Sequence, residues 1–205
     1  MIMYDGEAWP FELSHTSKYS YNENFLKPEE CKKIIADYKN SEKQKATIFD
    51  TEKSNIELKS IRECYTSWIG IENKSNWLYN KLVGQVINHN QRYFKFDLFG
   101  LVEKLQFTYY KAPGNHYQAH VDSSFNGKIR KLSAIVLLSN PKKFKGGELC
   151  LYTGYDTKSK KDYEVVKLKQ GMIVIFPSFT LHKVKPVTSG ERYSLVSWFT
   201  GPNFK

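Results

Sequence analysis

The hydrophobic pattern of this chain changes near residue 103. Before it, apolar positions recur at helical spacing. In LKPEECKKIIADYKN, residues 26–40, Leu26, Ile34, Ile35 and Tyr38 form one apolar face, and Pro28 with two glutamates suits a first helical turn. In KSNWLYNKLVGQVINHN, residues 74–90, Leu78, Leu82 and Val86 fall at i, i+4 and i+8, with Ser75 as candidate N-cap. Between these two helices lie a polar Lys/Glu-rich stretch, residues 41–60, which reads as a mobile loop, and a short apolar run, YTSWIGI, at 65–71. After residue 103 the period shortens to two. Strands are predicted at 104–111, 116–122, 130–139, 147–152, 162–168, 171–177, 181–187 and 192–199, punctuated by Gly, Pro, Asn and Ser. Eight short strands at this spacing predict a sandwich, barrel or jelly roll.

A length of 205 residues is enough for one folded unit with a core that needs no disulfide staples. Hydrophobic residues at 40% and charged residues at 25% exclude a disordered chain, and aromatics at 15% favour strands over a helical bundle. No stretch approaches 18 apolar residues, so no membrane span is expected. The first residues, MIMYDGEAWPFELS, lack the basic and apolar regions of a secretory leader. Cys31, Cys64 and Cys150 have no CxxC spacing, which argues against a disulfide framework or a zinc–thiolate site and fits a reducing, cytoplasmic setting.

Charge sharpens the division. Residues 1–103 carry 14 Lys/Arg and 15 Asp/Glu; residues 104–205 carry 17 and 6, so the net +10 sits entirely in the C-terminal half. This fits either an anionic partner or solvated lysines on loops. Lys142, Lys143, Lys145, Lys158, Lys160 and Lys161 cluster in two predicted inter-strand loops, and the solvated rim is the preferred reading.

The candidate chemistry lies in the same half. His120 and Asp122 are two residues apart on a predicted strand, on one face and about 6.6 Å apart. They could share a divalent ion or form a simple hydrogen-bonded pair. His182, at a strand entry in FPSFTLHKVKP, is the best third ligand; two His and one carboxylate form the facial triad of non-haem Fe(II) oxygenases. His116 lies about 13 Å along the strand from His120, too far to share the ion. His15 and His89 have no evident partners. Arg192 suits the far carboxylate of a dicarboxylate cosubstrate, or a surface ion pair, and Ser194 on the same face could add a hydroxyl.

The order HxD, His, Arg across these strands resembles the Fe(II)/2-oxoglutarate-dependent oxygenases, specifically the prolyl 4-hydroxylase-type branch with its small bacterial and phage-type hydroxylases. The resembling stretches are YYKAPGNHYQAHVD, GGELCLY and FPSFTLHKVKPVTSGERYSLVSWF, preceded by the LKPEEC helix and NHNQRYFKFDLFGLVEKLQFTYY. The resemblance implies a mainly β chain with N-terminal helices, in which residues 1–103 support a double-stranded β-helix, or jelly roll, over residues 104–205. It implies that His120, Asp122 and His182 ligate iron and that Arg192 holds 2-oxoglutarate. Tyr110 matches a tyrosine that contacts the cosubstrate, Tyr117 and Trp198 match aromatics of the substrate pocket, and Gly146 and Gly147 match a structural pair. The implied activity is hydroxylation of a prolyl or other residue in a peptide or protein. It is coupled to decarboxylation of 2-oxoglutarate to succinate and CO2, with O2 consumed and ascorbate as reductant. A free amino acid or other small molecule is the alternative substrate, and residues 41–60 and 123–130 are expected lids. Nucleic-acid demethylation is disfavoured, because no RxxxxxR follows His182. Arg192 stands where collagen-type members usually carry Lys, the segment AIVLLS lacks a second cosubstrate tyrosine, and the retained Asp122 argues against halogenation.

Overall fold

The computed structural model describes residues 17–41, 44–45, 61–125, 127–154 and 162–204. In chain order the strands are β1 (Ser20–Asn22), β2 (Gln44–Lys45), β3 (Arg62–Glu63), β4 (Tyr65–Ile69), β5 (Gly100–Leu101), β6 (Leu105–Lys111), β7 (His116–His120) and β8 (Ser124–Phe125). They continue as β9 (Lys128–Leu137), β10 (Phe144–Gly146), β11 (Leu149–Leu151), β12 (Glu164–Val166), β13 (Ile173–Pro177), β14 (His182–Val184) and β15 (Val187–Thr200). Helix α1 spans Pro28–Tyr38 and α2 spans Asn76–His89, followed by a π-helical turn at Asn90–Phe94.

The strands form two antiparallel sheets. The larger has ten strands with the path β1-β13-β9-β15-β6-β4-β2, and β5, β8 and β10 attach beside it; the smaller runs β12-β11-β14-β7-β3. The chain is mainly β, with jelly-roll architecture. The larger sheet is buried on both faces, and the alternation of its residues shows how. On β6, Leu105, Phe107 and Tyr109 join a hydrophobic cluster with Ile34 of α1 and Leu78, Leu82 and Val86 of α2. Tyr110, on the opposite face of β6, joins a second cluster with Leu149, Leu151 and Val184 of the smaller sheet. On β13 Ile173 and Ile175 face the helices, while Val174 and Phe176 face the other sheet. Two buried faces explain why IVIF reads as an unbroken apolar run.

Several expected boundaries move for physical reasons. The strand expected at 181–187 stops at Val184, because Pro186 lacks a backbone donor; Val187 then opens β15 in the other sheet. Asp122 lies beyond the end of β7 rather than on it. Ser75 precedes α2, but its hydroxyl turns back to donate to the Gly70 carbonyl (2.6 Å) and makes no N-cap bond. The expected lid 123–130 is largely a hairpin of β8 with β9. Most of the expected mobile loop 41–60 lies outside the described residues, as do His15, Lys158, Lys160 and Lys161. Cys31, Cys64 and Cys150 are buried and form no disulfide among the described residues. No helix of the described residues is long and apolar enough to cross a membrane.

Candidate active site

Strand pairing assembles the site. β7 and β14 are antiparallel neighbours with His120 directly opposite His182. Residues so paired hold their Cβ atoms about 5 Å apart, and the two imidazole centroids are 4.1 Å apart. Past the end of β7, the Asp122 backbone N–H donates to the Ser178 carbonyl at 2.8 Å. This bond turns the carboxylate towards both rings. Asp122 Oδ1 lies 3.6 Å from His120 Nε2, and Oδ2 lies 3.5 Å from His182 Nε2. One ligand atom from each residue falls within 4.8 Å of the others. The expected convergence is present, but it comes from a turn after β7, not from strand alternation.

Hydrogen bonds orient these groups. His120 Nδ1 is 2.8 Å from the Gln118 carbonyl, and His182 Nδ1 is 2.9 Å from the Thr180 carbonyl. A carbonyl only accepts, so each Nδ1 carries the proton and each Nε2 presents its lone pair to the centre. Burial, then the neighbouring His182, push His120 down to about 4, so that its ring is neutral at neutral pH. Burial would raise Asp122, but His182 and His120, aided by Trp198 and Ser133, hold it below the usual carboxylate range. The Ser133 hydroxyl donates to Asp122 Oδ2 at 2.9 Å and lies 3.0 Å from the Ser178 hydroxyl. Two imidazole nitrogens and one carboxylate on one side of a centre fit a six-coordinate Fe(II) with three positions left over.

On the interior face of β15, Arg192 is 1% exposed. Its Nη1 donates to Ser194 Oγ at 3.0 Å, while Nε and Nη2 have no partner. No carboxylate among the described residues pairs with it. A buried guanidinium left uncompensated costs several kcal/mol, so this one fits an anionic ligand such as the distal carboxylate of 2-oxoglutarate. Its Cζ is 5.2 Å from the centroid of the Tyr110 ring. Tyr110 is fully enclosed, and burial raises its pKa, keeping the phenol protonated. Gly147 makes room for the arginine: a Cβ there would lie 2.8 Å from Arg192 Cδ and 2.9 Å from Val187 Cγ2.

The remaining expected residues border the same space. The Tyr117 ring stacks on His120, centroids 3.5 Å apart, with interplanar angle 17°. Trp198 is buried, with the Arg130 guanidinium 3.9 Å from its ring centroid. Thr180 contributes its carbonyl to His182. His116 is held away, with Nδ1 2.8 Å from the Gly114 carbonyl. Sequence reasoning missed Ser133 and Ser178 behind Asp122. It also missed Arg62, whose guanidinium lies over the Tyr117 ring, 4.4 Å from its centroid, and donates to Cys64 Sγ (3.2 Å) and Gln106 Oε1 (3.0 Å). Alternation could have flagged Ser133, a polar residue inside the apolar run LSAIVLL.

Residues 105–200 match the sequence profile of the 2OG-Fe(II) oxygenase superfamily. A PKHD-type hydroxylase of Prochlorococcus marinus is 34% identical over 149 residues, covering 71% of this chain and 58% of that protein. Another, from Hyphomonas neptunium, is 43% identical over 90 residues, covering 42% of this chain and 38% of that protein. The chain thus spans about half the length of the curated relatives it matches. A crystal structure of a Pseudomonas putida prolyl-4-hydroxylase has a TM-score of 0.67 at 23% identity, covering 91% of this chain and 94% of its own. A Trichoplax adhaerens prolyl hydroxylase, in complex with a hypoxia inducible factor oxygen degradation domain peptide fragment, has a TM-score of 0.69 at 20% identity over 89% and 83% of the two chains. These two structures share its fold. Residues 105–200 are thus similar to the 2OG-Fe(II) oxygenase superfamily in sequence profile and to PKHD-type hydroxylases in sequence, and the donor set of His120, Asp122 and His182 fits that likeness.

Proposed function

We propose that this protein is an Fe(II)- and 2-oxoglutarate-dependent dioxygenase that hydroxylates a prolyl or other residue of a peptide or protein, releasing succinate and CO2. The observation that carries this reading is the convergence of His120 Nε2, His182 Nε2 and the Asp122 carboxylate, together with the buried, unpartnered nitrogens of Arg192 on β15. Bound Fe(II) would activate O2 and couple cosubstrate decarboxylation to oxidation of a C–H bond, with ascorbate as reductant.

The residues supply binding and orientation. His120, Asp122 and His182 would hold the metal, their geometry fixed by the Gln118 and Thr180 carbonyls and by Ser133. Arg192, oriented by Ser194, would take the distal carboxylate in a charge-assisted pair and so fix the cosubstrate's direction. Tyr110 closes that end of the pocket. Tyr117 and Trp198 would border the substrate. Residues 1–103 are read as support for the catalytic core, 104–205. A peptide substrate is favoured by the fold shared with the Trichoplax prolyl hydroxylase, which was solved with a peptide fragment.

The test is succinate formation from 2-oxoglutarate with Fe(II) and ascorbate, followed by mass spectrometry for a 16 Da gain on peptide and amino-acid libraries. Asp122→Ala should abolish succinate formation; retained turnover would refute the ligand assignment. A mass gain confined to free amino acids would move the substrate class.

A further inference from the structure

Asp122 is backed by more than Ser133. Across the β9–β15 pairing, Ser133 lies directly opposite Trp198. Residues so paired have their side chains on one face of the sheet, so the indole stands beside the Ser133 hydroxyl. The Ser133 hydroxyl donates to the Asp122 carboxylate at 2.9 Å. Trp198 Nε1 is a buried donor with no hydrogen-bond partner, on the strand position facing Ser133. The indole can turn only within limits, because its ring face is covered by Arg130, 3.9 Å from the centroid.

Arg130 is itself fixed. Its Nε donates to Glu103 Oε1 at 2.8 Å, and its Nη2 makes a second short bond to Oε2 at 2.5 Å. The two side chains are only 8% and 7% exposed. A bidentate pair of this kind constrains the guanidinium plane as well as its position. Glu103 precedes β6 and Arg130 lies on β9, the strand that carries Ser133. The order Glu103, Arg130, Trp198, Asp122 therefore runs from a largely buried ion pair to the candidate ligand carboxylate.

We infer that Glu103 and Arg130 are positioning residues for the proposed metal centre, acting through the Trp198 indole on the Asp122 carboxylate. The inference rests on the ligand assignment above. A planar cation lying on an aromatic face holds both planes parallel. Here it fixes the indole on the sheet face where its cross-strand neighbour Ser133 meets Asp122, which leaves the buried, unpartnered N–H available to that carboxylate. Partners behind a ligating carboxylate commonly govern metal affinity by factors of ten or more.

The experiment is Co(II) titration of the metal-free protein, read by visible absorption, which reports both affinity and coordination geometry without turnover. Asp122→Ala serves as the separate control: unchanged Co(II) binding in that variant would overturn the ligand assignment itself. With that control passed, Trp198→Phe, which keeps an aromatic ring beneath Arg130 and removes the N–H, is expected to weaken Co(II) binding about tenfold. Arg130→Met is expected to weaken it threefold or more and to shift the absorption bands. In the double variant the two losses should not multiply, because they act on one path. Glu103→Gln keeps the volume and should reproduce the Arg130→Met effect in part, which preserves the test if Arg130→Met fails to fold. Unchanged Co(II) affinity in the folded single variants, or fully multiplicative losses in the double, would overturn the inference.

Discussion

Arg192 is the residue whose surroundings most directly call for a ligand. Two of its nitrogens are buried and unpartnered, so an anion arriving there gains a charge-assisted pair already desolvated. Arg192→Met is expected to raise the KM for 2-oxoglutarate at least tenfold, about 1.4 kcal/mol, with a smaller change in kcat. Gly147→Ala should act in the same direction, since its Cβ would press on Arg192 Cδ and its φ of +67° lies in the left-handed region. Steady-state kinetics with 2-oxoglutarate varied checks both, and unchanged KM values would remove the carboxylate from this end of the pocket. Arg192 was legible in the sequence because its spacing from His182 matches a known order. Gly147 was legible only as a structural glycine; what it makes room for depends on the β10–β15 approach, which no local pattern encodes.

At the scale of elements, the histidines meet because β7 and β14 pair in one particular register, and a slip of one residue would turn one ring away. A second histidine ties helix to sheet. His89, in the last turn of α2, is buried with Nδ1 2.8 Å from the Ser20 hydroxyl of β1. Burial, then the Arg92 charge, lower its pKa. The unfolded chain therefore takes up a proton near pH 6.5 that the folded chain resists, so unfolding is favoured progressively as pH falls below that value. Urea unfolding between pH 8 and pH 5 should show stability declining on the acid side, and His89→Gln should flatten that slope; an equal slope in both proteins would exclude His89 as its source. Both helices and most core strands were readable from periodicity, because two-faced burial and amphipathic faces leave local marks. The two- and three-residue strands β1, β2, β3, β5, β8 and β10 were not, since they are defined by their partners across the sheet. The same applies to Asp122: its spacing from His120 was visible, and the turn that delivers it was not.

For the whole molecule, the site is a junction of the two sheets. β7 and β14 of the smaller sheet bring the three candidate ligands or lead into them, and β9 and β15 of the larger bring Ser133, Arg192 and Trp198. A metal held there should stabilise the entire fold by linkage. At 100 times its Kd, Mn(II) would contribute about 2.7 kcal/mol, which for a chain of this size raises Tm by about 5–10 °C. Differential scanning calorimetry should show that rise in the native protein and lose it in Asp122→Ala; a rise in both would place the ion elsewhere. The basic excess belongs to the same half of the chain as these residues, and Lys142, Lys143 and Lys145 stand exposed beside β10, at the edge of the sheet rather than in the pocket. Strand β15 also has a bearing on how the protein is made. β9 and β6 touch only through it, yet it is the last strand of the described chain to be synthesised. Until it docks, both neighbours present raw peptide edges open to other nascent chains. The pocket and the sheet close in one late event, so an interrupted translation product would be an aggregation hazard rather than a weakened catalyst.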